Sequence, residues 1–355
     1  MPRVAIVGGG LAGFVAYLAL RRGGVEDVTV FSTNDDPAAA WRRRAQAIRQ
    51  THMRSESDGH CLPTTFPGLA VRDARRRRSL APLLASASDR YHPTVESFLE
   101  HVAEQREASG WRPVRTRIER VRAVDGGFEL DSHGTYEHVL LATGHPGPAV
   151  PDELRADPRM VHAYEPHDYG ETVCVVGAGL AAATEWRNAI AAGSHVISVR
   201  RREPVRRPLN VPREFMSRRG LAGFHRLDGT ERAALIRELL APSYPPGREW
   251  DEAPASARFS VESRVNGADQ VICATGFLRG FRHDALLAGL VDDHELETTG
   301  DWIVLAPDST VPALTDDSRT LAIGGVAGQW AYPAADTLMG ARYAAHGFLR
   351  RCRTR

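Results

Sequence analysis

Lysine is absent from the 355 residues, and the strongly basic side chains are all arginine. That absence excludes Schiff-base chemistry on a lysine amine and otherwise reads as the mark of a GC-rich coding sequence. Cysteine is scarce: Cys61, Cys174, Cys273 and Cys352. No two are spaced as Cys-x-x-Cys, so neither a local redox dithiol nor a zinc knuckle is written here. Cys174 and Cys273 sit in apolar runs and read as core thiols; Cys61 alone stands beside a candidate active-site loop. No apolar run is long enough to span a bilayer, and no signal peptide is legible. The expectation is a cytoplasmic protein with no membrane partner. The net charge of +1 gives no global attraction to nucleic acid. The length allows two domains of ordinary size.

What is present is one motif written twice. Val4-Ala5-Ile6-Val7 is a short apolar strand that runs into Gly8-Gly9-Gly10-Leu11-Ala12-Gly13, and apolar residues at helical spacing follow to Arg22. Val173-Cys174-Val175-Val176 runs into Gly177-Ala178-Gly179-Leu180-Ala181-Ala182 in the same way. A strand, a glycine turn and a helix in that order form a dinucleotide-binding fingerprint. Gly8 permits the tight turn, Gly10 admits a pyrophosphate, and Gly13 lets helix and strand pack closely. Gly177, Gly179 and Ala182 hold the matching places, alanine being an accepted third residue. The helix N-terminus then offers N–H groups to phosphate.

The strand after each fingerprint usually ends in an acid that holds ribose hydroxyls. After Val28–Phe31 that place is Ser32, with Asp35 and Asp36 following; either Ser32 or Asp35 is a candidate for the contact. After His195–Val199 the place is taken by Arg200, Arg201 and Arg202, with Arg206 beyond. Guanidinium forks suit a 2′-phosphate, so this site reads as one for NADPH. By contrast Arg75–Arg78 reads as a solvated loop.

Two further segments also match. Val139–Leu141 ends in Ala142-Thr143-Gly144, and Val271–Cys273 ends in Ala274-Thr275-Gly276. A hairpin-like meander, Arg117–Val124 and Gly127–Asp131, precedes the first. Pro146, Pro148 and Pro151 then read as a linker. The last strand, Thr320–Ile323, meets Gly324-Gly325, and a helix is expected from about Ala334 to Arg350. The segment from Thr230 to Leu240 reads as a helix capped by Thr230 and stopped by Ser243–Gly247.

On these residues the chain resembles the two-dinucleotide-binding flavoproteins, and more narrowly the class B flavin monooxygenases and N-hydroxylating monooxygenases. Ala39-Ala40-Trp41-Arg42 resembles their Gly-Gly-x-Trp-Arg segment, placing Trp41 and Arg42 at the flavin cofactor. Met53-Arg54-Ser55 resembles the Leu-Arg-Asp segment near the flavin. Gly324–Arg342, with Pro333 and Asp336, loosely resembles the C-terminal pattern of those enzymes. The arginine run resembles His-Arg-Arg-x-x-x-Arg of thioredoxin reductases, with Arg200 in the histidine place. Thioredoxin reductase itself is disfavoured by the missing Cys-x-x-Cys. The Phe-x-Gly-x-x-x-His linker motif is missing; Val161-His162-Ala163-Tyr164 stands roughly there.

The resemblance implies an α/β fold of two Rossmann-like domains, the NADPH domain nested within the FAD domain. FAD would bind residues 1–150 and 276–355, and NADPH residues 151–275, with a small substrate region at about 207–251. It implies FAD and NADPH as cofactors, with Thr143, Gly144, Thr275, Gly276 and Gly325 among the contacts. It also implies NADPH-dependent reduction of the flavin, a C4a-hydroperoxide, and hydroxylation of a small molecule by molecular oxygen. Candidate catalytic residues are Asn210, Arg54, His60 and Trp330. For each an ordinary role stands beside the catalytic one: a turn for Asn210, an exposed loop for His60, core packing for Trp330. Two other readings stay open. One is a reductase passing electrons to a quinone or a protein acceptor, and the other a non-catalytic nucleotide sensor. Substrate identity is not written in the sequence. A homo-oligomer is compatible with it.

Overall fold

The computed structural model describes residues 3–54, 68–88 and 90–353. It is built on two five-stranded parallel sheets. In the first, Val4–Val7 is the central strand, with every residue buried. The strand order is Thr320–Ile323, His138–Leu141, Val4–Val7, Val28–Ser32, Val114–Arg115. Val4 pairs with Val28 on one side and His138 on the other, and His138 pairs with Thr320.

A strand buried on both faces reads as a continuous apolar run, and its alternate residues serve two cores. Val4, Ile6, Leu140 and Ala322 face the helices Leu11–Arg22 and Leu338–Arg353, meeting Phe14, Leu18, Ala345 and Phe348. Ala5, Val7, Val139, Leu141 and Ile323 face the three-stranded antiparallel meander, meeting Phe128, Leu130 and Tyr136.

The second sheet follows the same logic. Its order is Phe259–Glu262, His195–Val199, Thr172–Val176, Gln270–Cys273, Met160–His162. Val173, Val175 and Ile272 face the helix Leu180–Ala191 and its Trp186. Cys174, Val271 and Cys273 face the other way, against Leu154. These two thiols are buried, and burial pushes Cys174 up to about 11. They are core residues.

The chain leaves the first sheet at Ala142–Gly144 and returns at Ala274–Gly276. Each exit turns on a glycine with φ of +82°, a backbone that favours glycine. The two crossing peptides then run side by side. Ala149 N–H donates to Gly276 O at 3.0 Å, and Leu278 N–H donates to Gly147 O at 2.9 Å.

Residues 207–251 leave the second sheet after a two-residue strand, Val205–Arg206, which pairs in parallel with Ser243–Tyr244. Ser243 and Tyr244 therefore form a strand as well as ending a helix. That helix is Gly229–Leu239, and its cap is Asp228 rather than Thr230. Asp228 Oδ1 accepts from Glu231 N at 2.8 Å, while the Glu231 carboxylate accepts from Asp228 N at 3.2 Å. This reciprocal pairing satisfies two N–H groups, which Thr230 alone does not match.

The segment binds both halves of the molecule. Val211, Leu221 and Leu239 pack on Tyr332, Ala334 and Ala335. Tyr244 and Trp250 pack on Trp186. Trp186 meets Tyr244 and Phe259 edge-on, with centroids 5.8 and 5.3 Å away.

Two other expectations change. The C-terminal helix starts at Leu338, not Ala334; a short 3-10 turn, Gly325–Trp330, comes first. Arg75, Arg76 and Arg77 form the last turn of the helix Leu69–Arg77, where positive charge meets the helix dipole. Arg76 pairs with Glu100 at 2.5 Å, and Arg77 pairs with Asp73 at 3.9 Å.

Truncating Trp186 to alanine removes the side chain shared by the sheet, its helix and the 207–251 segment. The expected loss is about 3–5 kcal/mol of unfolding free energy, read from urea denaturation. A loss under about 1 kcal/mol contradicts this packing.

Candidate functional site: two dinucleotide turns and the junction between them

The first glycine turn is shaped by backbone contacts. Gly8 has φ of +106°, and a Cβ there would lie 2.2 Å from Ala142 O. A Cβ at Gly13 would lie 1.9 Å from Gly8 O. Gly10 differs: nothing lies within 4 Å of its Cβ position. It is also the N-cap of the helix Leu11–Arg22 and carries no side-chain cap. Open space thus stands before an uncapped helix N-terminus, as a pyrophosphate requires. Gly325 rims the same place, its Cβ position 3.4 Å from Ala12 Cβ. Thr143, at the adjoining strand end, has a buried hydroxyl without a partner among the described residues. Gly144 makes the exit turn beside it. These residues fit FAD.

Ser32 sits against the turn, since a Cβ at Gly9 would lie 2.4 Å from its Oγ. Its hydroxyl accepts from Asn34 N–H and donates to Asn34 O. Asp36 is committed to Ala38 N–H and to Arg42, 3.0 Å away. Asp35 is exposed and uses its backbone carbonyl to hold the Trp111 indole. Trp41 packs edge-on against Phe98 at 4.9 Å. Trp41 and Arg42 thus make structural contacts within this half.

The second turn repeats the first. A Cβ at Gly177 would lie 2.4 Å from Ala274 O, whereas Gly179 faces open space. Ala182 is fully buried against the sheet. Of the arginines beyond, Arg200 pairs with Glu203 at 2.9 Å. Arg201 is 85% exposed, with Glu153 at 3.3 Å. Arg202 is exposed. Arg206 has partners of its own within the protein. It pairs with Asp251 and lies over the Tyr244 ring at 4.5 Å, so its charge anchors the 207–251 segment. Thr275 likewise donates to Ala149 O in the crossing, unlike its unpartnered counterpart Thr143. Gly276 O accepts Ala149 N–H there.

Arg54 and Asn210 are brought together from 156 residues apart. Arg54 Nη1 donates to Asn210 Oδ1 at 2.6 Å and to Ser243 Oγ at 3.2 Å. Arg54 is 8% exposed. Ser243 was not among the expected site residues; in the sequence it looks like part of a helix stop. Trp330 sits elsewhere. It is 2% exposed in the core with Phe224 and Ile236, and Arg232 lies 4.9 Å over its ring. Its indole Nε1 is buried and has no hydrogen-bond partner among the described residues. His60, with Ser55 and Cys61, lies outside the described residues.

The sequence model of the pyridine nucleotide-disulphide oxidoreductase family matches residues 2–215. The chain belongs to this family. It is an oxidoreductase whose two dinucleotide sites take FAD and a nicotinamide cofactor. No curated protein matches its sequence. Solved structures match its fold. The FAD-bound cadaverine monooxygenase of desferrioxamine biosynthesis from Erwinia amylovora superposes with a TM-score of 0.73 and 13% identity, covering 100% of this oxidoreductase and 95% of that chain. An ornithine hydroxylase from Pseudomonas aeruginosa gives 0.66 and 14%, covering 99% and 100%. A bacillithiol disulfide reductase from Bacillus cereus gives 0.56 and 15%, covering 98% of each.

His145 follows the first exit turn and stacks on Phe277, with centroids 4.5 Å apart. Burial first, then Arg279 and Arg44, push its pKa down from 6.5 to about 4, against the pull of Asp336. The unfolded chain therefore takes up this proton at higher pH than the folded one. Stability is expected to fall as pH drops from 6.5 towards 4. His145→Gln, which cannot charge, is expected to flatten this part of the profile in urea melts. An unchanged slope in the variant places the titration elsewhere.

Proposed function

We propose that this oxidoreductase is a monooxygenase that uses FAD and NADPH to hydroxylate a small molecule. In this reading FAD occupies residues 1–150 and 276–355, and NADPH residues 151–275. The observation that carries it is the Arg54–Asn210 hydrogen bond. Through it the segment at 207–251 reaches across to the loop that follows the first dinucleotide fold. The likeness in fold to the cadaverine and ornithine enzymes supports the same reading and makes primary amines the first substrates to test.

Bound at the first turn, FAD would supply the redox chemistry, linking the reducing power of NADPH to oxygen. The protein's own part is binding, orientation and exclusion of water. The turn at Gly8–Gly13 would hold the FAD pyrophosphate at its open helix N-terminus. Gly177 and Gly179 do the same for NADPH, and Arg201 and Arg202 reach the 2′-phosphate. Arg54 fixes the Asn210 amide by occupying its oxygen, which leaves Nδ2 to donate towards the substrate. The apolar contacts of Val211, Leu221 and Leu239 with Tyr332 and Ala335 keep water from that side.

Asn210→Ala is expected to lower the share of consumed NADPH that appears as hydroxylated product by about tenfold, with FAD content unchanged. Product analysis beside NADPH consumption and peroxide release reads this directly. If wild-type protein yields no hydroxylated amine or thioether but reduces a quinone steadily, the reductase reading replaces this one. Replacing Arg201 and Arg202 together by glutamine is expected to raise KM for NADPH about tenfold or more and to leave NADH unaffected. Equal changes for both cofactors refute the 2′-phosphate assignment.

A further inference from the structure

A cavity of about 560 Å³ lies at the junction of the two halves. Its walls come from Arg43 and Arg44 of the helix Ala39–Ala47, from the crossing peptides at Pro148 and Phe277, and from Tyr164 beyond the strand Met160–His162. That volume suits a small molecule. In the sheet order two strands, Gln270–Cys273 and Thr172–Val176, separate the Met160–His162 edge from the strand that runs into Arg200–Arg202. The cavity is therefore removed from the arginines assigned to NADPH.

Its polar groups divide into those with partners and those without. Arg49 pairs with Asp168 at 3.1 Å. His167 Nε2 meets the buried Glu185 carboxylate at 3.1 Å. His162 Nε2 meets Gly276 O at 3.2 Å. Among the described residues, the Arg44 guanidinium has no ion pair and no hydrogen bond; it lies over the Phe277 ring, 4.1 Å from guanidinium carbon to centroid. The Tyr164 hydroxyl also has no partner, while its ring stacks on Phe277 at 4.8 Å and 9°. Arg43 adds a second cation at the rim. The opposing charge there is Glu165, which is exposed and accepts His162 N–H at 3.4 Å.

A half-buried guanidinium without a counterion is costly. A guanidinium fork beside a phenolic hydroxyl is a donor set that a carboxylate accepts from directly, and the aromatic stack beside it suits an apolar body. We propose that this cavity binds a small organic carboxylate, separately from both dinucleotides. Its walls belong to both halves, so an occupant ties them together. The inference does not depend on the monooxygenase reading.

The test is calorimetric titration of the FAD-loaded protein with benzoate, alone and with saturating NADP⁺, and with inorganic phosphate in parallel. Benzoate is expected to bind, with Kd raised at least tenfold by Arg44→Gln and several-fold by Tyr164→Phe, and unchanged by NADP⁺. Tyr164→Phe keeps the ring stack and removes only the hydroxyl, so it serves if Arg44→Gln does not fold. The proposal is overturned by no benzoate binding, by equal binding in wild type and both variants, or by displacement with NADP⁺. Binding of phosphate without benzoate overturns the carboxylate assignment.

Discussion

The arrangement depends on how the chain crosses between its two sheets. A parallel strand delivers the chain at its C-terminal end, and there both dinucleotide turns also lie. The outward and return peptides, 147–149 and 276–278, bond to one another, so neither half can turn without disturbing the other's exit. Further contacts clasp the same junction. Arg44 lies over Phe277 of the return peptide, and Asn188 from the second half donates to Ile48 O of the first at 2.7 Å. The 207–251 segment then spans the halves at a second place. Both crossings and both glycine turns thus follow the C-terminal ends of parallel strands.

Much of this was legible in the sequence because backbone geometry imposed it. Gly8, Gly13 and Gly177 are each pressed against a carbonyl that a side chain would strike, so the residue type reports the turn directly. The apolar strands were legible because burial on both faces leaves no room for alternation. Helix ends were less so. Ala334 and Ala335 have good helix propensity, yet the helix waits for Thr337, whose Oγ1 accepts Gly340 N–H at 3.1 Å. Thr230 and Asp228 are both acceptable caps by residue type, and only the reciprocal bond with Glu231 distinguishes them.

The site itself was legible in parts. Arg54 and Asn210 came from a resemblance to related enzymes; no spacing rule joins residues so far apart. Arg206 matched a phosphate-binding pattern, but Asp251 and Tyr244 claim its charge, and the fold alone reveals that competition. Trp330 illustrates a related limit. A tryptophan beside a glycine turn reads equally as cofactor wall or as core, and only the fold shows Phe224 and Arg232 packed around it.

The edge strand Thr320–Ile323 has a consequence for how the protein is made. It pairs with His138–Leu141, but the whole second sheet lies between them in the chain. A ribosome delivers the first fingerprint long before this strand. The first sheet therefore waits, one edge uncovered, while the second has all its strands in hand. The half that begins first is completed last, and its exposed edge strand is the segment most in need of protection during synthesis.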